Sequence, residues 1–127
     1  MIADDDASSR RLLELLILKM GHKVLFAEDG QECIDLIERE AVDILLLDIN
    51  MPKKDGFGVL EHLNDLKIQT PVIMVTASDE IPTVVRCIRM GACEYITKPI
   101  DKENLRIAVN GAIKEHEIQR VIRSING

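Results

Sequence analysis

A chain of 127 residues has the length of one ordinary domain and is long enough to bury a core without cross-links. Its formal charge of -6, with Asp4, Asp5 and Asp6 in a row, argues against direct nucleic-acid binding. Aromatic residues make up 2% and Trp is absent, so only Phe26, Phe57 and Tyr95 are available to stack on a flat cofactor or base.

Met1-Ile2-Ala3 is apolar but very short, which predicts either a stubby first strand or a native chain that begins before Met1. Leu12, Leu13, Leu16, Ile17 and Met20 then recur at helical spacing, with Asp6 or Ser8 to cap the start and Gly21 to stop the end. Val24 to Ala27 reads as a second strand and Glu28-Asp29-Gly30 as a turn. Cys33, Ile34, Leu36 and Ile37 mark a second helix ending near Glu40. Ile44 to Leu47 is an unbroken apolar run that meets a carboxylate, Asp48, and then a turn from Met51-Pro52 to Asp55-Gly56. Such a run reads as a strand buried on both faces.

Val59, Leu60, Leu63 and Leu66 give a third helix, broken by Thr70-Pro71. Val72 to Val75 is a fourth strand ending on Thr76, and Pro82 suits the first turn of a fourth helix whose apolar side is Val84, Val85, Ile88 and Met90. Glu94 to Thr97 is a fifth, weaker strand, followed directly by Lys98-Pro99. Asp101 caps a final helix from Lys102 to about Ile125.

Strand and helix alternate five times, which implies an α/β fold: one doubly wound, five-stranded parallel sheet flanked by five helices. Residues 1–127 read as a single domain. The odd count of cysteines, Cys33, Cys87 and Cys93, without C-x-x-C spacing, makes a disulfide framework or thiolate metal cluster unexpected. Each reads as a small core or interface residue in a reducing, cytoplasmic compartment. No run has the length of a membrane span and no signal peptide is visible. His22, His62 and His116 are isolated and away from strand ends, hence surface or capping residues.

In a parallel sheet every carboxyl end lies on one edge, where open α/β sheets bind ligands. Asp4 and Asp5 after strand one, Asp48 after strand three, Thr76 after strand four and Lys98 after strand five therefore converge. Strand two adds nothing comparable, as expected if it lies at the edge of a sheet ordered 2-1-3-4-5. Three carboxylates repel one another unless a cation sits among them. Mg2+ prefers oxygen ligands, takes one or two carboxylates and keeps room for phosphate oxygens. With Lys98 as a point charge and Thr76 as a hydroxyl donor, the set suits a phosphoryl group and an Asp48 nucleophile.

These residues, with Asn50-Met51-Pro52, Asp55-Gly56, Thr76-Ala77 and Lys98-Pro99, resemble the receiver domain of two-component response regulators, with the chemotaxis-regulator-like, flavodoxin-like fold, over essentially the whole chain. The resemblance implies that Asp48 accepts a phosphoryl group from a sensor histidine kinase, a phosphotransfer protein or a small phosphodonor. It implies Mg2+ ligation by Asp5, Asp48 and the Asn50 carbonyl, with Asp4 acting mainly through water. Thr76 would move toward the phosphoryl group, Lys98 would pair with it, and Tyr95 would change rotamer. A cis Lys98-Pro99 bond would aim the ammonium inward. Asn50 and Ser78 would tune slow self-dephosphorylation. The surface of helix four, strand five and helix five would then engage an effector domain, a partner or a second copy. The first strand is shorter than the family's, which implies native residues before Met1.

Plainer readings stand beside these. In them Asp48 ends a strand in a solvated turn, Asp4 to Asp6 cap a helix, Thr76 is an ordinary β-branched strand residue, and Tyr95 only packs. Ile118, Val121, Ile122 and Ile125 form either a fraying end or the start of a connector. A Mg2+-dependent phosphatase with an aspartyl nucleophile needs a general acid two residues on, and Asn50 cannot serve. A flavin carrier needs a Gly-, Ser- and Thr-rich phosphate loop after strand one, where Asp4-Asp5-Asp6 stands instead.

Overall fold

The structure is a computed structural model that describes residues 1–126. The elements run β1 Ile2–Ala3, α1 Ala7–Lys19, β2 Phe26–Ala27, α2 Gly30–Arg39, β3 Leu45–Asp48, α3 Gly56–Asp65, β4 Val72–Thr76, α4 Ile81–Arg89, β5 Glu94–Thr97 and α5 Lys102–Asn126. All pairings are parallel and the sheet order is β2-β1-β3-β4-β5. The α/β class, the strand order and the five helices are those expected from the alternation of apolar runs.

The period-2 alternation of strands divides the core into two. Leu45, Leu47, Val72 and Met74 face a cluster with Ile34, Ile37, Val59, Leu60 and Leu63, which are residues of α2 and α3. Leu46, Ile73, Val75 and Ile96 face the opposite cluster, with Leu13 and Ile17 of α1 and Leu105, Val109 and Ala112 of α5. Buried on both faces, β3 and β4 have no polar side, which is why they read as unbroken apolar runs.

Aspartates fix where four helices begin. Asp6, Asp29, Asp55 and Asp101 accept backbone N–H bonds from Ser8, Glu32, Gly58 and Asn104 at 3.2, 2.8, 2.8 and 2.9 Å. Each satisfies an otherwise unpaired amide of the first helical turn. Asp6, not Ser8, is the cap of α1. The loops that carry the polar residues therefore enter their helices at defined angles.

Three details differ from the sequence reading. The second strand begins at Phe26 rather than Val24, because β1 offers only Ile2 and Ala3 as partners. Helix α4 buries only Cys87 and leaves Ile81, Val85 and Ile88 exposed; it packs mainly over the edge strand β5, so one helical row reaches the core. Cys33 and Cys87 are buried, and burial pushes the Cys33 thiol up to about 12, but Cys93 is exposed, its thiol donating to the Val72 carbonyl at 3.3 Å. Among the described residues no helix is long and apolar enough to cross a membrane.

Candidate functional site

The carboxyl edge of the sheet collects the polar residues the topology assigns to it. Asp4, Asp48 and Thr76 are the buried polar residues of the described chain, at 1%, 6% and 2% exposure, and all three lie at strand ends on this edge. The carboxylates of Asp4, Asp5 and Asp48 each bring an oxygen within 4.8 Å of the others. Asp5 is exposed, so the cluster opens to solvent on one side.

Lys98, the residue after β5, closes the other side. Its ammonium donates to Asp4 Oδ2 at 3.0 Å and stands 3.5 Å from Asp48 Oδ2. The Lys98-Pro99 peptide is cis, as the resemblance implied. The Lys98 amide donates to the Thr76 carbonyl at 2.7 Å, which binds the end of β5 to the end of β4. Thr76 Oγ1 accepts the Ser78 amide at 3.1 Å, so the hydroxyl is anchored at the mouth of the loop leading to α4.

Charge in this pocket is uneven. Burial, and then the neighbouring Asp4 charge, push Asp48 up to about 6, against the opposing pull of Lys98 and the Asn50 amide. Burial works against the Lys98 ammonium, but its hydrogen bond to Asp4 and the charges of Asp48 and Asp4 outweigh this and hold it above its ordinary value. One ammonium thus does not neutralise the carboxylates around it, which is the electrostatic condition for a cation site.

The donors fit a hard divalent ion. Opposite ligands of an octahedral Mg2+ lie about 4.2 Å apart, twice the Mg–O distance. The carboxylate oxygens, one from each residue and all within 4.8 Å of one another, are grouped on that scale. Asp4 is already engaged, Oδ1 by the Asp6 amide at 2.9 Å and Oδ2 by Lys98. Asp48 Oδ1 has only a long contact, 3.4 Å, to the Asn50 amide.

The turn after β3 is built tightly against the strand. Gly56 donates to the Ile49 carbonyl at 2.7 Å. A Cβ on Gly56 would stand 2.5 Å from the Asp48 carbonyl oxygen and 2.8 Å from Ile49 Cα, so only glycine allows this closure. Asn50 is exposed at the rim, beside Asp48. Tyr95 is half-buried on β5, in register with Met74, and packs against the α2–α3 cluster. It lies one strand position before Ile96, which faces α5.

Two residues at this edge were not singled out from the sequence. Arg10 donates from Nη1 to the Asp4 carbonyl at 2.8 Å and pairs with Glu28 at 3.5 Å. Lys53, at φ 67, pairs with Asp29 at 3.5 Å. The loop after β2, which the sequence left without a part, thus touches helix α1 on one side and the loop after β3 on the other. A signal for Arg10 exists: a cation near a helix N-terminus opposes the macrodipole, so it needs another reason to be there.

Comparisons with known proteins agree with this geometry. The family model described as "Response regulator receiver domain" matches residues 1–110. The probable transcriptional regulator ycf27 of Guillardia theta is 33% identical over 114 residues, covering 90% of this chain and 44% of that protein. The regulatory protein AtoC of Escherichia coli is 32% identical over 126 residues, covering 99% of this chain and 27% of that protein. The chain thus spans less than half the length of these relatives. Among solved structures, the receiver domain of a Francisella response regulator matches at TM-score 0.85 and 32% identity, over 90% of this chain and 94% of that one. NtrX from Brucella abortus, in complex with ADP, matches at TM-score 0.91 and 25% identity, over 98% of this chain and 29% of that one. The chain belongs to the response regulator receiver domains of two-component systems, signalling domains whose general function is that of a phosphorylation-activated switch.

Proposed function

We propose that Asp48 is the phosphoryl acceptor and that residues 1–127 form a receiver whose state is set by that modification. The observation that carries this reading is the convergence of Asp4, Asp5 and Asp48 within 4.8 Å beside the Lys98 ammonium. The donor is a phosphohistidine of a sensor kinase or phosphotransfer protein, or a small phosphodonor. An Asp48 carboxylate oxygen bonds to phosphorus as the bond from phosphorus to the donor's imidazole nitrogen breaks. The electron pair leaves with that nitrogen, which takes a proton.

Asp5, Asp48 and the Asn50 carbonyl would hold Mg2+, with Asp4 contributing through water because both its oxygens have protein partners. When bound, the ion supplies positive charge that lowers the repulsion between Asp48 and an incoming phosphoryl group. Lys98 pairs with the phosphoryl oxygens and Thr76 Oγ1 donates to one of them. Asn50 and Ser78 tune the rate of slow self-dephosphorylation. Asn50 also disfavours a phosphatase acting on outside substrates, since an amide cannot protonate a leaving group.

Movement of Thr76 is relayed to Tyr95 and to the surface of α4, β5 and α5. That surface already exposes Ile81, Val85, Ile88 and Ile107, which supports docking of an effector domain, a partner protein or a second copy. The exposed Ile118, Val121, Ile122 and Ile125 on the last turns of α5 support a connector to further structure. Because the curated relatives named above, a probable transcriptional regulator and a regulatory protein, are both more than twice the length of the segment matched, we read this chain as the receiving part of a cytoplasmic regulator. The test is incubation with a phosphodonor and Mg2+ followed by intact mass. The parent gains one phosphoryl group; labelling of Asp48→Asn to the same extent would show that another residue is the nucleophile.

A further inference from the structure

We infer that Arg10 is a positioning residue for the carboxylate cluster, acting through the backbone of Asp4 to place Asp5; this rests on the metal reading proposed above.

Asp4 is held at every polar group. Its amide donates to the Ala27 carbonyl at 3.1 Å, its Oδ1 accepts the Asp6 amide at 2.9 Å, and its Oδ2 accepts from Lys98 at 3.0 Å. Its carbonyl accepts from Arg10 Nη1 at 2.8 Å. Asp5 is different: it is exposed, and among the described residues no hydrogen bond or ion pair holds its carboxylate. Its position is therefore inherited from the backbone. The peptide is planar, so a fixed Asp4 carbonyl fixes the plane that leads into Asp5. Arg10 is the side chain that fixes it.

The other contact of Arg10 does not explain its place. The Glu28 pair is 3.5 Å long and Glu28 is 69% exposed, the kind of ion pair that contributes little. Helix stability does not explain it either, since Arg10 lies close to the N-terminus of α1, where a cation is disfavoured. The neighbouring Arg11 shows the ordinary alternative, bonding to Glu14 on its own helix at 2.8 Å. Arg10 instead reaches back six positions to a strand-end carbonyl.

Positioning and simple charge predict opposite signs, which makes the inference testable. Removing a positive charge beside a cation site favours Mg2+ binding by Coulomb's law. Removing a group that places a ligand weakens it, and loss of residues that orient metal ligands costs about tenfold or more in affinity. The experiment is a Mg2+ titration of the full chain, followed by amide NMR shifts, for the parent, Arg10→Met and Arg10→Lys. The NMR spectrum also reports whether each variant is folded. Both variants should bind Mg2+ about tenfold more weakly. At saturating Mg2+ their phosphorylation rate by a small phosphodonor should return to the parent's, because Arg10 does not touch the reacting atoms. Unchanged or tighter binding in Arg10→Met overturns the inference. Should Arg10→Met fail to fold, Arg10→Lys decides alone: it keeps the charge, but its shorter side chain ends before the position Nη1 occupies at the Asp4 carbonyl, so parent-like affinity overturns the inference. A parent that binds no Mg2+ removes the metal reading itself, and the positioning role with it.

Discussion

Asp4 and Lys98 are 94 positions apart in the chain and 3.0 Å apart at the end of the sheet, where the ammonium also lies 3.5 Å from Asp48. This contact joins β1, β3 and β5 across the carboxyl edge and sets one positive charge against a cluster of carboxylates. Asp4 is 1% exposed and is left with a single amide donor if Lys98 is removed. Breaking one side of a buried ion pair is strongly destabilising, but the Lys98 side chain is 22% exposed and water can partly replace it. Lys98→Met should therefore cost about 2 kcal/mol in a chelator-containing urea melt. Added Mg2+ should recover part of that loss. A Lys98→Met chain as stable as the parent in chelator would mean that the ammonium does not hold the cluster together.

The raised Asp48 gives a pH prediction with a definite sign. Its native value is about 6 against a reference of 3.8, so between about 4 and 6 the folded chain keeps a proton that the unfolded chain has lost. Stability contributed by this group is present below about 4 and falls as pH rises toward 6. At pH 7 the ionised Asp48 costs the metal-free fold on the order of 2 kcal/mol. Asp48→Asn should thus be more stable than the parent in chelator at pH 7, and the difference should vanish near pH 4. Mg2+ should stabilise the parent more than the variant. Urea midpoints at both pH values, with and without Mg2+, check all three statements; a variant less stable than the parent at pH 7 in chelator refutes the first.

Much of this arrangement is legible in the sequence because it follows from chain order. Buried parallel strands carry no polar side, so Ile44 to Leu47 and Val72 to Val75 stand out, and the residue after each is placed by topology alone. That suffices to bring Asp4, Asp48, Thr76 and Lys98 to one edge. What the sequence does not disclose is set by side-chain reach and by packing at the margins. Arg10 looks like any helix residue until its guanidinium is seen at the Asp4 carbonyl. Helix α4 has an apolar face by spacing, but its place over the edge strand leaves Ile81, Val85 and Ile88 in solvent. Strand β2 is shorter than its apolar run because the length of a strand depends on its neighbour.

Gly56 is a steric requirement of the site. A methyl group there meets the Asp48 carbonyl oxygen at 2.5 Å and Ile49 Cα at 2.8 Å, both backbone atoms that cannot rotate away. The Met74 methyl at 3.0 Å is flexible and can yield. Gly56→Ala should therefore push the turn off β3, cost about 3 kcal/mol and weaken Mg2+ binding, since Asn50 lies between Asp48 and this turn. Gly111 is the control, because a Cβ there meets nothing within 4 Å; Gly111→Ala should stabilise α5 by up to about 1 kcal/mol. Urea melts of the two variants read this directly, and equal effects would remove the steric assignment.

Tyr95 is the only tyrosine and the chain has no tryptophan, so intrinsic fluorescence reports one side chain without interference. The ring is half-buried against the α2–α3 cluster, on the strand that Lys98 joins to the end of β4. If phosphorylation of Asp48 draws Thr76 inward and the change reaches β5, the phenol moves between packing and solvent. Phosphodonor with Mg2+ should then change the Tyr95 emission of the parent in step with labelling by mass. Thr76→Ala should still be labelled, because the nucleophile and the carboxylates are intact, but its emission should stay near that of the unmodified chain. The Thr76 hydroxyl accepts the Ser78 amide at 3.1 Å, so the variant also loses one loop hydrogen bond, worth about 1 kcal/mol. Acceptable stability must be confirmed by its urea midpoint before the two signals are compared. Labelled Thr76→Ala with the full emission change of the parent would separate Tyr95 from Thr76 and leave the phenol as a packing residue of the edge strand.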